Sequence, residues 1–381
     1  MKADGRLIEH GCEWDKVLGY LYSSSRDVMK LANFKLSETA DTKRSLLSSI
    51  SKVFDPYGIF APMIVTGKIL FSGVWTEHHP DFRPDDHWDL LVAKETRDAW
   101  PKLYNDLLGL SSFEFPRFSL TEEEPLELFL FCDASKRAYG FVAYGVQAGR
   151  SCILFAKPKV APLRDEKSLP TLELLGVFLA YKCLFALLRT YCNFHIKNVY
   201  INCDAQVVLS WILSDSIKTK NQFARNRIKD IHEMQQELSE KFKIPVHLRY
   251  VPTDQNPADL LTRGLTLDIF KKNFDFWIHG PEWIRKDIVV WPVSNLSCLS
   301  NANKSVMLAT IVDGEPEVES EESLIGPLVP FDKFDKYSQL LAVTSIVMRA
   351  CALFKGLSDE KMISGGVQLI ICIAREFICC R

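Results

Sequence analysis

Two aspartates in this 381-residue chain each end a short apolar run and share the tripeptide Cys-Asp-Ala. Asp133 follows the run that begins at Leu126, and Asp204 follows the run that begins at Asn198. Both runs are rich in aromatic and β-branched residues and too short for an independent helix, so each predicts a core strand. A carboxylate there is costly to bury alone. Two of them on neighbouring strands would repel each other, which indicates a divalent metal ion between them.

Two further acids fit the same chemistry. Glu173 is the only acid in the apolar run 169–180, which predicts a helix that begins near Pro170. A helix with so little polarity packs against a sheet, so its carboxylate needs a partner there. Asp259 follows the Asn-Pro turn at Asn256 and lies in the first turn of a short predicted helix.

Each acid taken singly has a purely structural alternative. Asp133 could face a strand-end turn, Asp204 could cap the helix that follows it, and Asp259 could interact with the dipole of its own short helix. Glu173 is the hardest to explain structurally because its neighbours are apolar. All four together, in this order, favour a shared site.

The elements that would position these acids alternate along residues 123–265. A three-stranded meander comes first, and then the Glu173 helix, a strand, two helices, a strand and the Asp259 helix. The predicted strands are 126–132, 139–146, 151–157, 199–203 and 246–251, and the two intervening helices are 206–213 and 222–241. This order predicts an α/β fold with a mixed five-stranded sheet and flanking helices.

Four short motifs carry a family resemblance. They are Asp133-Ala134-Ser135, Thr171-Leu172-Glu173-Leu174, Asp204-Ala205 and Asn256-Pro257-Ala258-Asp259. As a set they resemble the acidic tetrad of the ribonuclease H domain in LTR retrotransposon polyproteins, which implies a ribonuclease H-like fold for residues 123–265. Two flanking stretches resemble one lineage, the BEL/Pao elements: Val53-Phe54-Asp55-Pro56-Tyr57-Gly58, and Phe276-Trp277 with Gly280-Pro281-Glu282-Trp283.

The resemblance implies two-metal hydrolysis of the RNA strand of RNA/DNA hybrids. The implied cofactor is two Mg²⁺ ions, with Mn²⁺ as a substitute and no small-molecule cofactor. Asp133 would bridge both ions, Glu173 and Asp204 would complete the site of the attacking water, and Asp259 would hold the second ion. Many ribonucleases H place a histidine before the last aspartate, but the stretch 253–257 has none. We therefore expect slow turnover.

Substrate contacts are expected beside the acids. Ser135, Asn202 and Gln206 each lie near a predicted catalytic acid and are candidate donors to the 2′-hydroxyls of the hybrid. Arg225 and Arg227 lie on the long polar helix and are candidate phosphate contacts. A solvated helix face is the alternative for both arginines.

The remaining segments are predicted to be mainly helical at both ends of the chain. They are 1–122, similar to a reverse transcriptase thumb/connection segment; 266–300, an aromatic-rich extension; 301–329, an acidic linker; and 330–381, a truncated segment similar to the start of integrase. The only Asp-Asp pair, Asp85-Asp86, lies in a proline-flanked loop and does not resemble a polymerase palm. We expect neither polymerase nor integrase activity.

Composition narrows the class further. The net charge of −2 and the pI near 6.5 argue against a protein that coats nucleic acid nonspecifically. Eleven cysteines without a CxxC pair or zinc spacing indicate a reducing compartment. No signal peptide is visible, and the apolar windows are short or interrupted by charge. We expect an intracellular protein, cytoplasmic or nuclear, with no membrane partner; other parts of the polyprotein are candidate partners.

Two other functions stay open. The chain could be a non-catalytic remnant that binds duplex or partners without cutting. It could also be an aspartic-type peptidase, since Asp133-Ala134-Ser135 superficially resembles the Asp-Thr/Ser-Gly triplet and the lineage is associated with a Pao retrotransposon peptidase name. That mechanism needs two aspartates on glycine-bearing turns, and neither Asp133 nor Asp204 is followed by one. The peptidase is therefore the least favoured.

Overall fold

A computed structural model describes residues 14–294, except 77–87, 118–119, 164–165, 215–218 and 220. These residues belong to one compact unit. The predicted acidic linker, the integrase-like segment and Asp85-Asp86 lie outside the described residues. The domain boundaries given above stay predictions.

The described part of the N-terminal region contains three α-helices and a small sheet. Its elements are β1 (Asp15–Val17), β2 (Tyr20–Ser23), β3 (Val28–Leu31), α1 (Lys43–Ser51), α2 (Ala61–Gly73), α3 (Lys94–Leu108) and β4 (Glu114–Pro116). The four strands form an antiparallel sheet in chain order. The helices agree with the predicted, mainly helical character of this region, but the sheet was not predicted. Strands of three or four residues are too short to show an alternating pattern.

The central region has the element order that the sequence predicts. Its elements are β5 (Leu126–Ala134), β6 (Ala138–Gln147), β7 (Arg150–Val160), α4 (Leu169–Thr190), β8 (Ile196–Cys203), α5 (Gln206–Leu213), α6 (Gln222–Phe242) and β9 (Val246–Tyr250). They build a mixed sheet in the order β7-β6-β5-β8-β9. The first three strands pair antiparallel, and β8 and β9 add in parallel. The predicted ribonuclease H-like fold is confirmed.

The two faces of this sheet are covered differently. On one face lies α4, which packs on β5 and β6 and is itself covered by α6. By length and hydropathy α4 could cross a membrane, but 83% of its apolar window is buried inside the fold, as expected for a core helix. The opposite face of the sheet packs into a cluster of aromatic and aliphatic side chains.

The aromatic cluster joins the N-terminal region to the sheet. It includes Phe129 of β5 and Tyr144 of β6, together with Trp277 and Trp283. The tryptophans come from the extension that follows the sheet, which contains α7 (Leu267–Lys272) and α8 (Phe274–His279). The indole of Trp277 donates a hydrogen bond to the carbonyl of Ile59 at 2.6 Å. The extension therefore connects both regions.

The outer edge of β7, which pairs with no other strand of its sheet, contacts a turn of the N-terminal region. The amide of Ala156 donates to the carbonyl of Tyr57 at 2.9 Å. Gly58 follows with φ of +74°, and a Cβ there would lie 2.1 Å from the carbonyl oxygen of Ala156. Only glycine fits this approach, which explains the glycine of the Asp-Pro-Tyr-Gly motif.

Candidate active site

The four predicted acids lie at one edge of the central sheet. Asp133 is the next-to-last residue of β5, and Asp204 directly follows β8. The two strands are parallel neighbours with Cys132 opposite Cys203, so both aspartates reach the same edge. A carboxylate oxygen of Glu173 and one of Asp204 lie within 4.8 Å of each other. Asp204 does not cap α5, whose N-cap residue is Ala205.

Glu173 reaches this edge because α4 lies unusually close to the sheet. A Cβ on Gly176 would lie 3.2 Å from the carbonyl oxygen of Asp133 and 3.3 Å from that of Gly140. Glycine at this position permits the close approach, which brings Glu173, one turn earlier, over the strand ends. There its carboxylate accepts a hydrogen bond from the backbone N–H of Ala134.

Asp259 is positioned by a short 3₁₀ helix, Pro257–Leu261, in place of the short helix predicted. Asn256 starts it: its Oδ1 accepts from the amide of Ala258 at 3.1 Å. The Nδ2 of the same side chain donates to the carbonyl of Cys132 at 2.9 Å. This buried asparagine therefore fixes the Asp259 segment to β5, beside Asp133.

Burial and mutual repulsion raise the pKa values of three of these acids. Burial is the largest cause of the raised pKa of Glu173, and the charges of Asp133, Asp204 and Asp259 raise it further. Burial also raises the pKa of Asp133, with Asp204 and Asp259 adding to the effect, while the hydroxyl of Thr262 opposes it. The pKa of Asp204 is raised mainly by burial. All four acids therefore interact within one cluster.

Some carboxylate oxygens of the cluster have hydrogen-bond donors. Thr262 donates to Asp133 Oδ2, and Thr253 donates to Asp204 Oδ2 at 2.8 Å. Arg263 forms an ion pair with Asp259, at 2.6 Å between Nη2 and Oδ1, but the arginine side chain is 62% exposed. These donors leave part of the cluster unsatisfied.

The unsatisfied atoms are two buried oxygens. Among the residues that the structure describes, Glu173 Oε2 and Asp204 Oδ1 are buried without a hydrogen-bond partner. Such atoms are rare in native proteins and call for a ligand. A divalent cation meets both needs, since it supplies coordination to the free oxygens and neutralises the repelling charges. Clustered carboxylates are hard oxygen ligands, the type that Mg²⁺ prefers.

Three predicted substrate-binding residues differ in what they can contact. Ser135 is half-buried and donates its hydroxyl to the carbonyl of Thr262 at 2.6 Å. Asn202 has no exposed surface, and its Nδ2 contacts the carbonyl of Leu130 at 3.3 Å. Its position inside the sheet therefore argues against the predicted contact with substrate. Gln206 is exposed at the start of α5, next to Asp204.

The two predicted phosphate contacts lie on α6. Arg225 is exposed and hydrogen-bonds Gln222 of the preceding turn at 2.5 Å. Arg227 is half-buried: it pairs with Asp230 at 3.1 Å, and its guanidinium lies 4.9 Å from the ring centroid of Phe178. Arg225 is the more accessible of the two.

Thr262 is a site residue that the sequence did not predict. It is fully buried and supplies the hydroxyl that contacts Asp133. Its carbonyl also holds Ser135, so it joins the Asp259 segment to the turn after β5. The sequence shows that Thr262 follows Asp259 by three residues. No spacing rule, however, predicts that a threonine there contacts Asp133, which is distant in sequence.

The sheet order and the acid cluster define a ribonuclease H-like domain. Residues 42–205 match the family model described as the Pao retrotransposon-like RNaseH-like domain. This stretch of the chain is thus similar to that family, which confirms the predicted resemblance to the BEL/Pao lineage. The match includes α1, α2 and α3 of the N-terminal region as well as Asp133, Glu173 and Asp204.

Solved structures with detectable similarity include ribonucleases H and a reverse transcriptase. The N-terminal RNase H domain of a Mycobacterium tuberculosis protein is 15% identical, with a TM-score of 0.27, covering 39% of this chain and 98% of that one. RNase H1 of Halobacterium salinarum is 13% identical, with a TM-score of 0.26 and coverage of 36% and 93%. A foamy viral protease-reverse transcriptase in complex with RNA/DNA hybrid is 11% identical, with a TM-score of 0.37 and coverage of 66% and 30%. No curated protein sequence matches this chain.

Proposed function

We propose that this protein hydrolyses the RNA strand of RNA/DNA hybrids with two Mg²⁺ ions held by Asp133, Glu173, Asp204 and Asp259. The observation that carries the proposal is the pair of buried, unsatisfied oxygens on Glu173 and Asp204, inside a cluster of four mutually repelling acids. Divalent ions bound at such a site activate a water molecule and stabilise the leaving oxygen of a phosphodiester.

The protein's own residues hold the carboxylates ready for this chemistry. Thr262 orients Asp133 and Thr253 orients Asp204, each through a hydroxyl that donates to Oδ2. Asn256 ties the Asp259 segment to β5. Preorganised ligands need not rearrange when charge develops, which is where such sites gain rate. Arg263 is the flexible part, because its exposed side chain can leave Asp259 at little cost.

The substrate would lie over the exposed side of the cluster. Gln206 is the best-placed candidate for a sugar contact, and Arg225 is the better candidate for a phosphate. Recognition of the hybrid would depend on its shape and its 2′-hydroxyls, as expected for a duplex of A-like form. We propose that other parts of the retroelement polyprotein are partners, that the protein is cytoplasmic or nuclear, and that it lacks polymerase and integrase activity.

Neither alternative gains support from the site. An aspartic peptidase needs two aspartates that share a proton on equivalent turns. Here Asp133 is the next-to-last residue of one strand, Asp204 follows another, and the charges of both act on Glu173 of α4. A non-catalytic remnant would have no need to retain all four acids in one cluster, although only an assay separates it from an active enzyme.

The decisive experiment is a cleavage assay with the purified chain. An RNA/DNA hybrid with fluorescent RNA is incubated with Mg²⁺ or Mn²⁺, and hybrid binding is measured separately with Ca²⁺. Asp133→Asn is expected to lower cleavage by roughly a thousandfold, because it removes a ligand worth several kcal/mol in the transition state. Asp254→Asn is the matched control, since this aspartate is exposed in the loop before Asp259.

The outcomes separate the three functions. Loss of cleavage in Asp133→Asn and retention in Asp254→Asn would support the proposal. Hybrid binding without cleavage under either metal would show a remnant. Hydrolysis of casein that a pepsin-type inhibitor blocks would establish the peptidase and overturn the proposal.

A further inference from the structure

A cysteine thiol lies beside the unsatisfied carboxylates. The Sγ of Cys203, a carboxylate oxygen of Glu173 and one of Asp204 all lie within 4.8 Å of one another. Cys203 is fully buried at the end of β8, and its Sγ accepts a hydrogen bond from the amide of Ala205 at 3.4 Å. The two-metal hydrolysis proposed above has no use for this sulfur.

The ligand that this corner of the site suits is a metal ion of a different class. Sulfur is a soft ligand that Mg²⁺ avoids, whereas Zn²⁺, Co²⁺ and Cd²⁺ accept thiolate together with carboxylate. Zinc binds sulfur at about 2.3 Å and carboxylate oxygen at about 2.0–2.2 Å. Three ligand atoms within 4.8 Å can close around one such ion through small rotations of the side chains.

A second observation independently points to a cation here. Glu173 is only 8% exposed, and its Oε2 has no hydrogen-bond partner among the described residues. Asp204 Oδ1 is likewise buried and unsatisfied. The free oxygens belong to the same two residues that lie next to the sulfur. This part of the site therefore offers unsatisfied carboxylate oxygens and a thiol to the same ion.

Cys132 offers an internal comparison. It is the register partner of Cys203 on the neighbouring strand and is equally buried. Side chains of register partners lie on the same face of a sheet, so both thiols face α4. Among the described residues, however, it is Cys203 that groups with Glu173 and Asp204 within ligand distance. Position within the site, not burial, distinguishes the two thiols.

We infer that Glu173, Cys203 and Asp204 form a mixed sulfur–oxygen site for a thiophilic divalent ion of the zinc class. The inference rests on the pocket of the proposed function but not on hydrolysis. An ion bound there would share Glu173 and Asp204 with Mg²⁺. Because zinc-class ions bind nitrogen, oxygen and sulfur ligands more tightly than Mg²⁺, excess Zn²⁺ is expected to displace Mg²⁺ from this part of the site.

The test is a Co²⁺ titration of the full, metal-free chain, read by absorption spectroscopy. Wild-type protein is expected to show a near-ultraviolet sulfur-to-cobalt charge-transfer band that Zn²⁺ abolishes by competition. Cys203→Ser is expected to lose the band and to bind Co²⁺ at least about tenfold more weakly. Cys152→Ser, a buried cysteine on β7, is the matched control and retains the band.

Each contrary result would overturn the inference. A band that persists in Cys203→Ser, or one that is lost in Cys132→Ser instead, would assign the sulfur to another residue. No band in the wild type would exclude a sulfur ligand. If Cys203→Ser does not fold, the cadmium NMR shift of the wild-type complex decides, because a sulfur-bound ion resonates far from an all-oxygen one. Loss of hybrid cleavage alone would count against the proposed function and leave this inference standing.

Discussion

Two regions of this protein bury carboxylates, and they satisfy them in opposite ways. In the N-terminal region the carboxyl of Asp55 is enclosed and accepts three hydrogen bonds: from the hydroxyl of Tyr20 at 2.5 Å and from the amides of Ile59 and Phe60 at 3.0 and 2.8 Å. At the sheet edge Glu173 keeps a buried oxygen without a donor.

The difference shows how a structural acid can be told from a site acid. Asp55 uses its oxygens to hold the turn that leads into α2, so the protein itself completes its hydrogen bonding. The Glu173 carboxylate has only the Ala134 amide and three negative neighbours. An acid that lacks hydrogen-bond donors and is surrounded by like charge is costly to bury, which indicates that it binds a ligand.

The largest expected effect comes from deleting the satisfied acid. Asp55→Ala would leave the Tyr20 hydroxyl and two amides without their acceptor, so we expect a loss of about 3–5 kcal/mol in the free energy of unfolding. Urea denaturation measures it. Asp55→Asn keeps one acceptor oxygen and should lose less. A loss below about 1 kcal/mol in Asp55→Ala would contradict the structural role.

The unsatisfied acid should respond with the opposite sign. In metal-free protein the wild type must either take up a proton on Glu173 when it folds or bury a repelled charge. Glu173→Gln avoids both costs and adds an amide that can donate to Asp204, so we expect a gain of about 1–3 kcal/mol in unfolding free energy. The same variant should lose the increase in melting temperature that Mg²⁺ gives the wild type. Asp254→Asn should change neither quantity. If Glu173→Gln destabilises the metal-free protein, the claim that Glu173 is an unsatisfied acid, in contrast to Asp55, is wrong.

The pH dependence of stability tests both acids at once. Burial raises the pKa of Asp55 to about 6, and the pKa values of Glu173 and Asp133 are also raised. The folded protein therefore binds more protons than the unfolded chain, whose carboxyls titrate near about 4. These groups contribute their full share to the unfolding free energy below about pH 4. That contribution is lost as pH rises through the pKa values of the folded state.

Mg²⁺ distinguishes the contribution of Asp55 to this pH dependence from that of the acid cluster. Without Mg²⁺ the wild-type unfolding free energy should fall by about 1–2 kcal/mol or more between pH 5 and 8, because the folded protein retains protons on these carboxyls that the unfolded chain has released. Saturating Mg²⁺ should remove the part that belongs to the site and leave the part that belongs to Asp55. Equilibrium unfolding at several pH values, with and without metal, measures this. A pH profile unaffected by Mg²⁺ would show that the cluster binds no ion.

The smallest expected effect concerns a hydroxyl. Thr262→Val keeps the shape of a fully buried side chain but removes the donor to Asp133. We expect a loss of about 1 kcal/mol in stability and a Mg²⁺ affinity lowered roughly tenfold, because a group that orients a ligand is lost. Calorimetric titration with Mg²⁺ measures the affinity. Thr262→Ser, which keeps the hydroxyl, should restore it.

Much of the central fold was predictable because its elements are long and their patterns strong. The two Cys-Asp-Ala strands and the helix 222–241 were predicted close to their observed bounds, whereas the Glu173 helix was predicted to begin correctly at 169 but continues ten residues beyond the predicted end. The convergence of Asp133 and Asp204 followed from the rule that parallel neighbours end at one edge. Their catalytic roles stay predictions.

The rest depended on contacts between residues far apart in sequence. Tyr20 meets Asp55 across 35 positions, and Thr262 meets Asp133 across 129, so no local pattern could reveal either pair. The strands β1–β3 were missed because they are only three or four residues long, and β4 in addition comes from a segment about eighty residues downstream of β3. The inward position of Asn202 follows from strand register, which the sequence left undetermined.

The turn that covers β7 has a practical consequence for the isolation of the ribonuclease H-like region alone. Cutting the chain at residue 123 would remove the Tyr57-Gly58 turn and α2 from the eleven-residue outer strand β7, and the amide of Ala156 would lose its hydrogen-bond partner. Unprotected strands of this kind recruit copies of themselves. A fragment that begins at residue 123 is therefore expected to aggregate in solution, whereas a fragment that retains residues 42–122 should not.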